Sequence, residues 1–270
     1  MEAKIFEPST ELTDFVQCYW TLEGDKENTP LTNIIVPDGT MKLIFHYGDT
    51  YKHYPNKGES LILPKCFLIG QLTKPYVVEP TGITGSFVVR FHPNGFLPFS
   101  PVPMKKMENT AVSLNELFGE KGREIEKCIL GAKTTYDRIN FIEHFLLNLL
   151  KNRQAIDSVV KSTIDAILST NGQCSVNEYS SKNKISRRHL TRKFSTAIGL
   201  NPKQLSKTIR LQAALKKLLT QEVTSLTDLA YENNYFDQAH FIKDFKEFTG
   251  LTPKEFYGNA LKMSLIFDKV

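Results

Sequence analysis

Few residues of this 270-residue chain stand where covalent chemistry would need them. His46, His53 and His92 lie in the strand-rich front stretch and could serve as metal ligands in a barrel. Such a site needs a close His-x-His pair and a nearby acid, and the sequence supplies neither. Cys18, Cys66, Cys128 and Cys174 are far apart and lack paired spacing, so they read as reduced cytosolic thiols, not as a disulfide frame or zinc site. No Ser/His/Asp spacing, phosphate loop or paired-acid motif stands out. No catalytic residue, metal or cofactor is expected. Arg90 is the one charged group in an otherwise apolar strand, Thr84–Phe91. With Val89 and Phe91 turned inward, Arg90 faces solvent. In the opposite setting its guanidinium enters a pocket fit for an anion. Arg90, His92 and His46 are the candidate pocket residues.

The chemistry that is repeated is polar and basic. Ser186–Pro202, SRRHLTRKFSTAIGLNP, recurs 51 positions later as Asp237–Pro253, DQAHFIKDFKEFTGLTP. His189, Phe194, Gly199, Leu200, Pro202 and Lys203 fall on His240, Phe245, Gly250, Leu251, Pro253 and Lys254. The first copy shows solvent Arg187, Arg188, Thr191, Arg192 and Ser195; the second shows Gln238, Ala239, Ile242, Lys243 and Lys246.

Each copy must be carried by a capped helix. Ser186 and Asp237 are N-cap types, able to accept a bond from a first-turn N–H. Leu190, Phe194 and Ile198 make one apolar stripe; Phe241, Phe245 and Phe248 make the other. Gly199 and Gly250 stand where a left-handed C-cap belongs, each followed by proline. A shorter helix precedes each copy, at Ser175–Lys182 and Ser225–Glu232. The turns are Asn183-Lys184-Ile185 and Asn233-Asn234-Tyr235-Phe236. Helix, tight turn and a second helix with a polar outer face is a helix-turn-helix pattern. One such unit is equally well explained as a helical hairpin with solvated charges; two in tandem with the same stop are not. Between them Pro202–Thr220 is helical, a rod on the order of 25 Å long. It holds the outer helices apart by a distance comparable to one turn of DNA, about 34 Å.

Residues from about 158 to 257 resemble the DNA-binding domain of the AraC/XylS family of bacterial transcription regulators. The likeness rests on SRRHLTRKF, IGLNPKQ, IRLQAALKKLL and LTDLAYENNYFDQAHFIKDFKEFTGLTPKEF. Two places depart from the family pattern: Tyr179-Ser180 and Asn183 replace Leu-Ala and Leu, and Asn234 replaces a turn glycine. Asn tolerates left-handed backbone, so that turn survives. The resemblance implies that Arg188, Thr191 and Arg192 reach base edges, and that Gln238, Ala239, Ile242 and Lys243 form the matching face. By side-chain chemistry Gln238 could read adenine and Ile242 could touch a thymine methyl. Arg187, Lys193 and Lys207 then contact phosphates. His189 and His240 read as packing groups.

Charge supports the same division. Residues 171–220 hold 11 Lys+Arg against 1 Asp+Glu, whereas 221–257 hold 3 against 7. The first unit should therefore anchor on phosphates. The acidic second unit either adds selectivity, meets another protein, or turns its acids away from DNA.

The expected fold is α+β in two domains. Residues 1–156 form a small β-barrel or sandwich with a helical part at about 113–152. Residues 157–258 form an all-α tandem helix-turn-helix: unit one about 175–200, linker helix about 202–219, unit two about 225–252. Strands are expected at Asn33–Pro37, Met41–Tyr47, Leu61–Leu63, Phe67–Gln71, Tyr76–Glu79 and Thr84–Phe91, with Asp38-Gly39 as a hairpin turn. The stretch Glu11–Leu22 reads as a short helix or turn running into a strand. Glu23–Pro30 reads as a polar loop and Lys151–Ile156 as the domain boundary. Ser113 with Glu116 forms a capping box. The apolar stripe of Thr135–Asn152 either packs on the barrel or pairs with a second copy. The front half also resembles, through Tyr19-Trp20, Val36-Pro37-Asp38-Gly39 and Val89-Arg90-Phe91-His92-Pro93, a small domain found before AraC-type units. That domain would sense a ligand or assemble the protein. No secretory signal and no apolar run of about 18 residues is present, which points to the cytoplasm and away from the membrane. The partners this reading admits are double-stranded DNA, RNA polymerase, a small-molecule effector and a second copy in a homodimer. Its rivals are a ligand-independent dimeric regulator, a small-molecule-binding protein whose helical units meet proteins, and, last, an enzyme.

Overall fold

The computed structural model describes residues 2–24, 32–56, 58–150, 157–220 and 225–256. Among the described residues the front half holds ten strands: β1 (Glu2–Phe6), β2 (Val16–Gly24), β3 (Asn33–Ile35), β4 (Lys42–His46), β5 (Tyr51–His53), β6 (Leu61–Ile62), β7 (Cys66–Ile69), β8 (Tyr76–Pro80), β9 (Thr84–Phe91) and β10 (Ala111–Ser113). They form two open sheets, ordered β1-β2-β9-β4-β7-β10 and β3-β8-β5-β6, so the unit is a sandwich and not a closed barrel. A 3-10 turn at Thr10–Leu12 leads into β2, as expected. β1, β5 and β10 were not expected: they are short or polar, and pairing with longer neighbours defines them.

Register sorts the larger sheet into two faces with a period of two. Across β2, β9 and β4, Tyr19, Val89 and Leu43 stand in one row, and Thr21, Phe87 and Phe45 in another. These rows meet α1 (Leu114–Phe118), α2 (Glu120–Gly131) and α3 (Thr135–Leu150) through Leu117, Ile129, Ile142 and Leu146. Ile139, Ile142 and Leu146 of the α3 stripe are thus buried on the sheet, whereas Phe145, Leu149 and Leu150 are only half-buried at its edge. Glu143 clamps that contact, its Oε1 accepting from the Ser9 amide at 2.7 Å and from the Tyr19 hydroxyl at 3.0 Å. The capping box of Ser113 and Glu116 is present at the head of α1.

The hairpin expectation at Asp38-Gly39 is corrected. β3 pairs with β8 in the smaller sheet, and β4 pairs with β7 and β9 in the larger one. The chain crosses between sheets here. Gly39 does adopt the left-handed φ of +76° that a turn demands. However, the Asp38 carboxylate folds forward onto the amide and hydroxyl of Thr40, at 3.0 and 2.8 Å, instead of closing a strand pair.

The back half is helical: α4 (Ser158–Ser169), α5 (Val176–Lys182), α6 (Arg187–Ile198), α7 (Pro202–Leu219), α8 (Leu226–Glu232) and α9 (Gln238–Thr249). The expected caps at Ser186 and Asp237 are made, and Ser175 and Ser225 cap α5 and α8 in the same way. Ser175, Ser186, Ser225 and Asp237 each accept from the amide three residues on. Gly199 and Gly250 close α6 and α9 in left-handed geometry, with φ of +86° and +76°. At α7 an unforeseen capping box, Asn201 with Gln204, precedes Pro202 at the first helical position. The expected boundary at 151–156, most of the expected loop at 23–30, and residues 257 and 258 lie outside the described residues.

The two turns are built alike. Asn183 and Asn233 end the first helices, and each side-chain amide donates to the carbonyl four residues back. Lys184 and Asn234 follow with φ of +51° and +58°. Ile185 and Tyr235 then return a backbone bond to Ser180 and Ala230. The second turn carries one extra residue, Phe236, which is 86% exposed. That insertion changes the spacing of the copies from 50 positions between Ser175 and Ser225 to 51 between Ser186 and Asp237.

Candidate functional site

α6 and α9 each bury the expected stripe. Leu190, Phe194 and Ile198 are fully buried, the last two against α4 and α7, and Phe241, Phe245 and Phe248 pack against α7, α8 and Phe256. The opposite faces are open. Arg187, Arg188 and Arg192 are exposed on α6, with Thr191 and Ser195 half-buried beside them. Ala239 and Lys243 are exposed on α9, with Gln238 and Ile242 half-buried. Gln238 Oε1 accepts from the Thr227 hydroxyl at 3.1 Å, which orients its amide. Ala239, Ile242, Lys243, Lys246 and Glu247 line a shallow depression there. Where α6 meets the front half it does so at its far end, Gly199 lying against the backbone of Met104, away from the exposed Arg187, Arg188 and Arg192.

Two residues read as phosphate contacts are placed differently. The Lys207 ammonium pairs with Asp244 at 3.0 Å and Glu247 at 2.9 Å, and lies over the Phe248 ring. Lys193 pairs with Asp157 at 2.7 Å. Glu232 likewise takes Lys217 at 2.6 Å. The acids of the second unit therefore compensate cations of the linker helix, which accounts for much of the charge contrast between the two halves. His189 is half-buried, whereas His240 is exposed, its ring edge-on to Tyr235 and 3.7 Å from Asp244.

The other face of the larger sheet does not meet solvent. It looks across a cavity of about 1010 Å³ toward the smaller sheet, and α7 closes one side. Both faces of β9 are thus covered, which neither orientation of Arg90 had anticipated. Val89 and Phe91 face the helices, and Arg90 faces the cavity with Val88 and Ser86. Lys42, Ile44 and His46 of β4 stand opposite them in register. From α7 come Ile209, Gln212, Ala213 and Lys216. α7 is apolar on two sides: Ile209 and Ala213 line the cavity, while Leu211, Leu215 and Leu218 enter the core of the second helical unit.

Arg90 and His46 are brought together in this cavity, but His92 is not. It lies past the end of β9, half-buried, with Nε2 3.1 Å from the carbonyl of Thr13. Asp38 is the residue that sequence reasoning missed. Its Oδ2 pairs with Lys42 at 2.7 Å and Arg90 at 3.1 Å. Burial alone would raise its pKa, yet the two cations hold the carboxyl down at about 2. Burial lowers the Lys42 pKa, against the pull of Asp38. An Asp-Gly pair advertises a turn, and that signal hid its electrostatic use.

His46 Nδ1 is 2.8 Å from Ser86 Oγ, and the ring stacks on Tyr51. Burial, aided by the Lys65 charge, drives its pKa from 6.5 to about 4. Between those values the unfolded chain takes a proton that the folded chain refuses. Stability is therefore expected to fall by up to about 3 kcal/mol as pH drops from 6.5 to about 4, then to level. Urea unfolding of the native chain and of His46→Gln across this range checks it; equal pH slopes in both would contradict the assignment.

Among the described residues no group of three or more His, Cys, Asp or Glu could hold a metal ion, and no helix is long and apolar enough to cross a membrane.

Residues 4–113 match a family model described as a domain of unknown function, and residues 179–259 one described as a helix-turn-helix domain. An uncharacterized HTH-type transcriptional regulator of Staphylococcus aureus is 31% identical over 119 residues, 43% of this chain and 16% of the relative. The chain thus spans a small part of the curated relatives it matches. ToxT from Vibrio cholerae is similar in structure at 12% identity and a TM-score of 0.48, over 95% of this chain and 97% of that one. The C-terminal domain of AraT, a response regulator from Geobacillus stearothermophilus, covers 39% of this chain and 88% of its own at 19% identity and a TM-score of 0.37.

Proposed function

We propose that this chain is a sequence-specific, DNA-binding transcription regulator of the AraC/XylS type, whose front unit senses a small molecule. It acts as a binding protein and not as an enzyme, and works in the cytoplasm. The observation that carries this is the duplication: two capped helices with open polar faces, each seated on its own core and joined by α7. α6 lies in one major groove, with Arg188, Thr191 and Arg192 on base edges and Arg187 on phosphate. α9 lies in the next, with Gln238, Ala239, Ile242 and Lys243 at the bases. Arginine suits guanine O6 and N7, glutamine suits adenine, and isoleucine can touch a thymine methyl. Lys207 has no DNA role in this scheme, because its charge is engaged by Asp244 and Glu247.

The cavity between the sheets supports a front unit that senses a small molecule. RNA polymerase and a second copy remain partners that the scheme admits. Selection of bound DNA from a random pool by the purified chain tests it. Two conserved half-sites about 10 base pairs apart are expected. A pool that stays unenriched would overturn the proposal.

A further inference from the structure

The crossing at residues 36–40 joins the cavity to the linker helix. Val36 is buried in the core of the second helical unit, with Leu211 and Leu215 of α7. The carbonyl of Pro37 accepts from Gln212 Nε2 at 2.6 Å. Gly39 lies directly under Leu205, so close that a Cβ there would stand 2.7 Å from its Cδ1. The buried Gln71 amide donates to the Gly39 carbonyl at 3.0 Å. Between these anchors, Asp38 points the other way, into the cavity wall.

That wall carries an excess of positive charge. Two cations, Lys42 and Arg90, share one carboxylate oxygen. Arg90 offers Asp38 a single Nη2 contact, and its buried Nε has no hydrogen-bond partner among the described residues. Trp20 Nε1, one strand away on the same face, is buried without a partner as well. Buried donors of this kind are seldom left unpaired, because each forfeits its hydration for nothing. A guanidinium can hold a carboxylate by two parallel bonds, a geometry that Asp38 does not provide. Much of the remaining lining is apolar, with Ile44, Ile69, Val88, Ile209 and Ala213 around the space, and His46, Ser86, Gln212 and Lys216 add polar groups to it.

We infer that this cavity binds an amphiphile with an apolar body and one anionic head, and that the head takes Arg90 from Asp38. Bound in this way, the head lies on Arg90 and Trp20 Nε1, and the body lies between the sheets against α7. Asp38 then keeps Lys42 but loses Arg90, and with it one of the two charge pairs that fix the crossing at 36–40. Since this crossing is bonded to α7 through Pro37 and packed on it through Gly39, occupancy changes the seating of the spacer between α6 and α9. The ligand shifts the DNA-binding population because it favours one seating over the other. This deepens the sensing role proposed above and rests on it.

The test uses the full chain and two probe pairs: decanoate beside decanol, and naphthalene carboxylate beside naphthylmethanol. Trp20 is the one tryptophan, so its emission reports occupancy of the cavity directly. At least one carboxylate is expected to bind saturably, about tenfold tighter than the alcohol of its skeleton. Asp38→Asn removes the competitor and should tighten the carboxylate about tenfold while leaving the alcohol unchanged. If that variant does not fold, Thr40→Val, which removes one of the bonds to Asp38, should tighten it severalfold. Arg90→Met should abolish the preference for the charged probe. The carboxylate should also speed hydrogen exchange at the Thr40 amide, which Asp38 holds. Equal binding of acid and alcohol, no binding of any probe, or tightening by neither variant would overturn the inference. DNA affinity of the probe-free chain is measured alongside. Its absence sinks the regulator reading, whereas intact DNA binding that decanoate and the naphthoate leave untouched sinks only this coupling.

Discussion

Alanine at Phe245 is expected to cost about 3–5 kcal/mol, the range for removing a fully buried aromatic side chain. Phe245 is at the centre of the second helical unit. Its ring stands edge-on to Phe241 and Phe256, with centroids 5.6 and 5.3 Å away, and α7 packs on the same cluster. A loss of that size is a large fraction of the roughly 5–15 kcal/mol that stabilises an ordinary domain. The unit formed by α7, α8 and α9 should be weakened first, while the larger sheet, whose core with α1–α3 is separate, persists. The duplication makes the prediction sharper. Phe194 holds the matching place on α6, equally buried, so Phe194→Ala should fall in the same range. Calorimetry of the two variants, with separate transitions for sheets and helices, measures this. A loss below about 1 kcal/mol in either one would mean that the copies do not share a folding logic.

The second large effect is on recognition. Arg192→Ala should cost about 1–3 kcal/mol for the preferred site and nearly nothing for sites altered at one particular base pair. Arg192 is exposed on α6, and its guanidinium approaches His189 Nδ1 at 3.4 Å, which keeps it on the outer face of the helix. Arg187→Ala, at the head of the same helix, should instead weaken every sequence by a similar factor and flatten the salt dependence. Titration of both variants against the selected site and its single-base changes separates the two roles. Parallel losses on every sequence for both arginines would remove the base-reading assignment.

How much of this was legible in the sequence depended on whether the signal was local. Caps, stripes and stops of α6 and α9 are written within a dozen residues each, and all appear where expected, down to the left-handed Gly199 and Gly250. Most strands were found within a residue or two, because β-branched runs and flanking Pro or Gly mark them. What failed was long-range. Asp38-Gly39 has the composition of a hairpin turn, but the pairing of β3 with β8 is decided by residues over 40 positions away. The setting of Arg90 was posed as inside or outside, and the answer required knowing that the sheet is covered on both faces. Lys207 looked available in a basic run, since nothing nearby in sequence reveals that Asp244 and Glu247 return to it from α9. Lys184 in left-handed backbone was missed for another reason: its equivalence to Asn234 emerges only once the extra residue Phe236 is placed.

The central claim is that α6 and α9 read neighbouring major grooves of one duplex. Methylation-protection footprinting on the selected site tests it most directly. Two protected major-groove patches on one face, about one helical turn apart, are predicted. Substitutions at Arg192 should erase protection in one patch and substitutions at Lys243 in the other. A footprint confined to one groove, unchanged by Lys243→Ala, would contradict it.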